Sequence, residues 1–574
     1  MKRPFRLIIT AFLLGASLYL CPTSALAQER DVRRETLKVQ MPDGPDLATD
    51  LYLPAREGKY PVILIRTPYS SKQLSDTGET FTKADYAVVI QNVRGRNGSS
   101  GNFLPFASEM NDGMATLDWI NKQPWSNGKV GLWGGSYLGY CAFLVASSGH
   151  PSIGAGVNIS GWADLKHMMR TGGATRIGDF LPWILSQMRG PIPPQGEMDK
   201  IFRIVPLKSF FRGMDEKVEQ AAGKGFAFER VRAPFLHITG WYDYLYDDTL
   251  YAYEGIRTRS EKPPMQQLVI GTWAHNGVFA DSTKIGDEDF GAESPMGKRK
   301  LYESSIRWFD YHLKGIKNGI QKDPLVKYFL MGENQWHETK NWVPTGVKYE
   351  NWYLMSGGNA NTLNGDGKLS RKPPRPKSVN AFDFPHPEAV DNFVFDPNNP
   401  VPTLGGANSN FLPYLIGTKN QQDIEKRKDV LVYTSPAFKQ GPTIVGRLQA
   451  VIYAATEGKD TDFTAKLVEV RTDGYARMIE EGILRGRVLA ASKGATGYLS
   501  GRVYEFRIDL GATAIRLRPG SRLRLEISSS NFPKYDRNPN TGEDPLTATT
   551  FQSVRQTIFH SKEFASYVRI PIQH

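Results

Sequence analysis

The sequence predicts an α/β protein: a doubly wound, mostly parallel sheet covered on both faces, followed by a β-sandwich. Three observations predict it. Short, almost fully apolar segments alternate with helical patterns from about residue 35 to 163. That alternation marks a sheet with helices on both faces. The pattern breaks between 164 and 230 and then resumes with further apolar segments. Beyond about 325 the chain turns to alternating polar and apolar strands separated by turn residues, the pattern of a sandwich.

The elements follow in order. "YPVILIRTPY" (60–69) and "YAVVIQNVRG" (86–95) are buried strands, the second running into the glycine-rich "RGRNGSSG". In "EMNDGMATLDWINKQ", Met110, Met114, Leu117 and Ile120 recur at helical spacing. "KVGLWGGS" (129–136) is the next strand, "YLGYCAFLVASS" the helix after it, and "GAGVNISGW" (154–162) another strand. "LPWILSQM", "GPIPPQG" and "FRIVPLKSFF" fill an irregular, helix-rich insertion over 164–230, expected to cap the sheet's carboxyl edge. "APFLHITGWYD" (233–243) and "QQLVIGTWAH" (266–275) return as strands, and "YESSIRWFDYHLKG" is an amphipathic helix with a glycine stop. The expected domains are thus 28–163 with 231–325 for the sheet, 164–230 for the cap and 326–574 for the β-sandwich. In the last, Leu523, Leu525 and Ile527 face one way and Arg522, Arg524 and Glu526 the other.

Bulk properties narrow the function. The 574 residues exceed what one core usually takes. Residues 1–27 combine Lys2, Arg3 and Arg6, a short apolar run and a small-x-small "ALA". This reads as a secretory signal peptide cut before Gln28, so the mature protein is expected in the periplasm or outside the cell, with no stable membrane span. Of the two cysteines, Cys21 leaves with the signal, and Cys141 stands alone in an apolar segment as a small buried hydrophobe. The net charge of +12 is scattered rather than blocked, which speaks for a solvated basic surface and against nucleic-acid binding. No histidine pair has zinc-ligand spacing, so neither metal nor cofactor is expected.

The chemistry rests on three residues at the ends of predicted strands. A serine hydroxyl attacks only when a base takes its proton. Ser136 lies on a strand-to-helix junction between small neighbours Gly134, Gly135 and Gly139, where such a nucleophile is held in α/β-hydrolases. Its second glycine comes at Ser plus three, so the commoner G-x-S-x-G spacing is not met. Asp243 and His275 each follow an apolar strand, and the order Ser, Asp, His is the expected one. His275 would act as base and then acid, with Asp243 orienting it. The backbone N–H of Tyr137 would face the developing oxyanion. Asp247 and Asp248 rival Asp243 from farther along, and His237, inside a strand, is expected to be packed in the core.

These motifs resemble a known family. Gly134-Gly135-Ser136-Tyr137-Leu138-Gly139, "GWYD" (240–243) and "GTWAH" (271–275) are similar to the nucleophile, acid and histidine motifs of the cocaine esterase-like hydrolases. Those enzymes are related to X-prolyl dipeptidyl peptidases, α-amino acid ester hydrolases and glutaryl-cephalosporin acylases. "VRGRNGSSG", "RWFDYHLKG", "DTDFTAKLVEV" and "SSNFPKYDRNPNTGE" extend the resemblance over nearly the whole mature chain. It implies an α/β-hydrolase core with a helical cap and a C-terminal jelly roll, acting on a small-molecule ester or amide. It also implies that Tyr69, in "RTPYS", donates its hydroxyl to the oxyanion. The α-amino ester hydrolases carry carboxylates two and three positions after the acid to hold a substrate ammonium. Here those positions are Leu245 and Tyr246, which puts a charged amino-group pocket in doubt.

Trp162, Phe180, Trp183 and Trp241 are candidates to line an acyl pocket or simply to pack. Asp164 either reaches the site or caps a helix. The leading expectation is a secreted serine esterase working through an acyl-enzyme. A dipeptidyl peptidase or acylase is the alternative within the enzymes, and an inert jelly-roll binding protein is the alternative outside them. A homo-oligomer is compatible with either.

Overall fold

The structure, a computed structural model, describes residues 32–189, 194–204, 226–374, 389–494 and 497–574. The expected signal peptide and part of the expected cap lie outside the described residues.

Ten strands form the first sheet: β1 (Val32–Gln40), β2 (Asp46–Pro54), β3 (Tyr60–Thr67), β4 (Ala87–Asn92), β5 (Ser126–Gly135), β6 (Ile153–Ile159), β7 (Phe235–Gly240), β8 (Gln266–Gly271), β9 (Val326–Leu330) and β10 (Gln335–Thr339). Their spatial order is β1-β2-β4-β3-β5-β6-β7-β8-β9-β10. Strands β3 to β9 run parallel, and β1, β2 and β10 are antiparallel edges. The apolar runs earn their place here. Every residue of β3, β4 and β7 is buried, because helices cover both faces.

Helices α1 (Ser75–Lys83), α2 (Glu109–Asn121) and α3 (Tyr137–Ala146) follow the early strands. The insertion supplies α4 (Leu165–Met169), a short hairpin over 170–175, α5 (Ile177–Arg189) and α6 (Gln195–Phe202). After it come α7 (Tyr246–Arg259) and α8 (Gly297–Lys314), which ends on left-handed Gly315 as a glycine stop should. Helix α8 lies against the sheet where β5 and β6 present glycines. A Cβ at Gly131 would sit 2.7 Å from Phe309, and one at Gly154 would sit 2.6 Å from Leu313.

The first sheet continues past the expected boundary at 325/326. Val326–Leu330 pairs with β8 in register Leu268↔Val326, and Gln335–Thr339 closes that edge. Val326, Tyr328, Phe329 and Leu330 are buried in a cluster shared with β8 and the C-terminal strands, so β9 joins the two parts. The remainder, from Val347 to Gln573, forms a β-rich domain of eleven hydrogen-bonded strands. Leu523, Leu525 and Ile527 are fully buried there, as the alternation requires. The opposite face is covered as well: Arg524 and Glu526 are buried, and Arg524 reaches Glu425 at 2.6 Å.

The two parts are tied by backbone and by charge. Met331 exchanges backbone hydrogen bonds with Ala514 and Arg516. The hairpin over 170–175 is held by Arg485, whose guanidinium donates to Asp462 (2.8 and 2.9 Å), Asp536 (2.7 Å) and the Gly173 carbonyl (3.1 Å). All three charged side chains are buried. Replacing Arg485 by Ala leaves two buried carboxylates facing each other without a cation. We expect a loss of about 3–5 kcal/mol, seen as a lower urea midpoint for the transition of the C-terminal domain.

Candidate active site

Strand β5 ends in Gly134 and Gly135, and the chain then reverses into α3 through Ser136. Ser136 has φ 56° and ψ −125°, a conformation that side-chain-bearing residues rarely adopt. Its amide donates to the Ile159 carbonyl at 2.9 Å, and its own carbonyl accepts from the Tyr140 amide. The Tyr137 N–H, first in the helix, therefore has no helical acceptor and sits at the positive end of the helix.

The glycines have separate causes. A Cβ at Gly134 would lie 2.4 Å from the Leu138 backbone. A Cβ at Gly139 would lie 2.5 Å from Asn158 Oδ1 and 3.0 Å from Gly161 Cα. The second glycine thus falls at Ser plus three because α3 crosses the end of β6 there. Position plus two, Leu138, is free to line the cavity over the serine.

The acid and the imidazole meet across neighbouring strand ends. Asp243, after β7, is fully buried, and His275, after β8, presents Nδ1 to both of its carboxylate oxygens at 3.0 Å. Asp243 also accepts from the Leu245 amide at 2.8 Å, which fixes the carboxylate. His275 and Ser136 line one cavity of about 680 Å³. The ring of Tyr244 stands 4.7 Å from the His275 ring.

Tyr69 lines the same cavity, at the turn after β3. Its oxygen accepts from Trp183 Nε1 at 3.1 Å. Burial pushes the Tyr69 phenol above its ordinary pKa, so it stays a donor. The Tyr137 side chain points away from the cavity. Its hydroxyl donates to the buried carboxyl of Glu109 at 2.5 Å and accepts from the Phe106 amide at 3.0 Å. Only the backbone of Tyr137 can serve a reacting group.

Of the expected pocket residues, the structure brings Trp183 to the cavity and not the others. Trp162 is buried behind Tyr137, stacked on Tyr140 at 5.2 Å. Phe180, on α5, is buried in the core. Trp241 turns to the opposite side of the strand end, where its indole donates to the Phe329 carbonyl at 2.9 Å. Asp164 caps α4, accepting from the amides of Lys166 (2.8 Å) and His167 (3.1 Å). His237 is buried against Gln266, as its strand position predicts.

Sequence reasoning missed several lining residues. Ser409, Asn410 and Phe411 come from the C-terminal domain, and Asn408 forms a β-bridge with Asp243 itself. Gln73, Leu74, Trp133, Gln187, Phe279 and Tyr302 also line the wall. Nothing local in "NSNF" signals a site, since its place is set by contacts far away in sequence.

Asp247 and Asp248 lie in a second cavity, behind the first, and are engaged there. Asp248 meets His167 at 2.7 Å and Arg176 at 3.0 Å, and Asp247 meets Arg447 at 2.5 Å. Arg176 also donates to Asp179 at 3.0 Å, and to the carbonyls of Met168 at 3.0 Å and Tyr244. Among the described residues, no group of three His, Cys, Asp or Glu side chains is arranged to hold a metal.

A strained serine on a strand-to-helix turn, above a parallel sheet with a carboxylate–imidazole pair after later strands, defines an α/β-hydrolase. The comparisons make the class specific. The family model described as X-Pro dipeptidyl-peptidase (S15 family) matches residues 43–277, and that of the X-Pro dipeptidyl-peptidase C-terminal non-catalytic domain matches 318–569. Cocaine esterase of Rhodococcus sp. is 31% identical over 93% of this chain and 97% of its own. An aminopeptidase from a marine-sediment Thaumarchaeota archaeon superposes with a TM-score of 0.79 at 23% identity, covering 98% of this chain and 99% of its own. An α-amino acid ester hydrolase superposes at 0.77 with 22% identity, covering 96% and 98%. The chain belongs to the cocaine esterase-like (CocE/NonD) and S15 peptidase family of serine hydrolases.

The network behind the site carries a pH signature. Burial opposes a charge on His167, but Asp248 and Asp247 outweigh it and raise its pKa to about 9. A raised imidazole stabilises the fold fully below its ordinary value of 6.5 and loses that contribution as pH rises through about 9. The melting temperature of the wild type should therefore exceed that of His167→Gln at pH 6. The gap should close by about pH 10, measured by scanning fluorimetry across that range.

Proposed function

We propose that the protein is an exported esterase that cleaves uncharged carboxylic esters through an acyl-enzyme. The observation that carries this reading is the His275 imidazole, gripped by buried Asp243 and opening on the cavity that holds Ser136. Ser136 attacks the ester carbonyl while His275 takes its proton, and the oxyanion is held by the Tyr137 amide and the Tyr69 hydroxyl. His275 then protonates the leaving alcohol, and water repeats the sequence on the acyl-enzyme. Export rests on the sequence of residues 1–27.

The choice of substrate follows from the wall. Trp133, Leu138, Ile159, Trp183, Phe279 and Phe411 make it largely apolar. Among the described residues, Asp76 is the one carboxylate that lines it, and Lys298 pairs with it at 2.6 Å. Asp247 and Asp248 are committed to cations in the other cavity. A free substrate ammonium thus finds no unpaired carboxylate near Ser136, which favours a neutral ester over a peptide with a free N-terminus. A fluorophosphonate probe should label the wild type and not Ser136→Ala. Aryl and alkyl esters should be hydrolysed, and a dipeptide amide should gain nothing from an unblocked amine. Equal labelling of Ser136→Ala would sink the mechanism, and a strong preference for the free amine would sink the substrate class.

A further inference from the structure

Two features of the sequence have no part in the chemistry above: the glycine-rich "RGRNGSSG" after β4, and the single cap tryptophan that reaches the cavity. The structure brings them together on Tyr69.

An indole N–H can donate but not accept. When Trp183 Nε1 donates to Tyr69 Oη at 3.1 Å, the phenol's own hydrogen has to turn away from the indole. No group among the described residues accepts that hydrogen. The remaining direction is the cavity that Tyr69 shares with Ser136. A phenol free to rotate would spend part of its time pointing elsewhere.

Trp183 is itself held firmly. Its ring stacks on Phe106 at 5.7 Å and on Tyr137 at 5.9 Å, each with planes inclined by 23°. Phe106 and Tyr137 stack on each other at 5.0 Å, and the Tyr137 hydroxyl is anchored on Glu109. One side chain of α5 therefore touches both residues that face the oxyanion: Tyr69 through a hydrogen bond and Tyr137 through its ring.

The glycine-rich loop fixes the helix to the turn. Arg96 Nε donates to the Pro68 carbonyl at 3.0 Å, next to Tyr69. Its Nη1 and Nη2 donate to the Gln187 carbonyl (3.3 Å) and side chain (3.0 Å), one helical turn beyond Trp183. Asn97 adds a second bond to the Pro68 carbonyl at 3.3 Å. Left-handed Gly95 and Asn97 shape the loop so that both neighbours can reach.

We infer that Trp183 is a positioning residue for the oxyanion hole, aiming the Tyr69 hydroxyl at the reacting carbonyl, with Arg96 clamping the cap helix that carries it to the Tyr69 turn. This rests on the esterase reading of Ser136 and Tyr69. Trp183 acts through Tyr69, so its effect belongs to the transition state and appears in kcat rather than KM.

The test is a double-mutant cycle on the full chain with p-nitrophenyl butyrate. Tyr69→Phe should lower kcat by about 10²–10³-fold, the usual loss for one oxyanion donor. Trp183→Phe keeps a ring for the stack and removes only the N–H; it should lower kcat by about five- to twentyfold, since the donor stays but rotates. KM should stay within about twofold. In the Tyr69→Phe background, Trp183→Phe should cost nothing further, because there is no hydroxyl left to aim. Arg96→Met should behave the same way and guards against a local packing defect in the Trp183 variant. The variants should melt within a few degrees of the wild type. An unchanged kcat in Trp183→Phe, a change in KM alone, or an equal loss in both backgrounds would overturn the inference. Full activity of Ser136→Ala would instead overturn the reading beneath it, so the two failures are distinguishable.

Discussion

The organisation of the site depends on one buried cation. Arg176, at the start of α5, is almost fully enclosed and donates to four acceptors from different parts of the chain. Asp179 ties it to the cap helix, Asp248 to α7, and the Tyr244 carbonyl to the residue beside Asp243. Asp179 in turn accepts the Ser409 amide at 3.0 Å, which fixes the C-terminal loop lining the cavity. A buried guanidinium is tolerated only when its donors are met. Satisfying Arg176 therefore requires the cap, the acid loop and the C-terminal loop to be in register at once. Desolvation opposes this arrangement, but the two carboxylates hold the arginine charged.

The strained turn at Ser136 is held by the same logic of overdetermination. Its positive φ costs of order 1–3 kcal/mol and persists only if neighbours leave no alternative. The Ile159 carbonyl takes the serine amide, and the missing side chains at Gly134 and Gly139 let α3 pack close against β5 and β6. The turn carries the chain straight from β5 into α3, with the Tyr137 amide as the first of the helix.

How much of this was legible in the sequence divides by range. The strands β3 to β8 were readable because a fully apolar run between helical patterns is what a strand buried on both faces leaves in a chain. Ser136, Asp243 and His275 stood out because each follows such a run, and chain order supplied the rest. That the first sheet runs on through β9 and β10 is not legible in the sequence; only pairing with β8 reveals it. The pocket was mostly unreadable. Trp162 and Trp241 look like pocket residues in a string of letters, yet one packs behind Tyr137 and the other turns to β9. Nothing in composition separates them from Trp183. Phe411 was invisible because the strand ends it faces are more than a hundred residues away in sequence.

The same division shows in the cavity. Ser136, Asp243 and His275 sit at strand ends whose positions are set by the sheet. The wall around Ser136 and His275 comes from three modules: the cap through Trp183 and Gln187, the sheet through Trp133 and Ile159, and the C-terminal domain through Asn410 and Phe411. Asp247 and Asp248 do not join that wall. Leu245 is fully buried, and Tyr246 lines the other cavity beside both aspartates, so none of these four positions reaches the wall above Ser136. The two aspartates point to Arg447, His167 and Arg176, where they lock the domains together. Withdrawing Asp248 would leave buried Arg176 with Asp179 as its remaining carboxylate, and withdrawing Asp247 would leave Arg447 with Asp509. The pairings that join cap, helix and C-terminal domain thus occupy both carboxylates, and the wall above Ser136 is built without them.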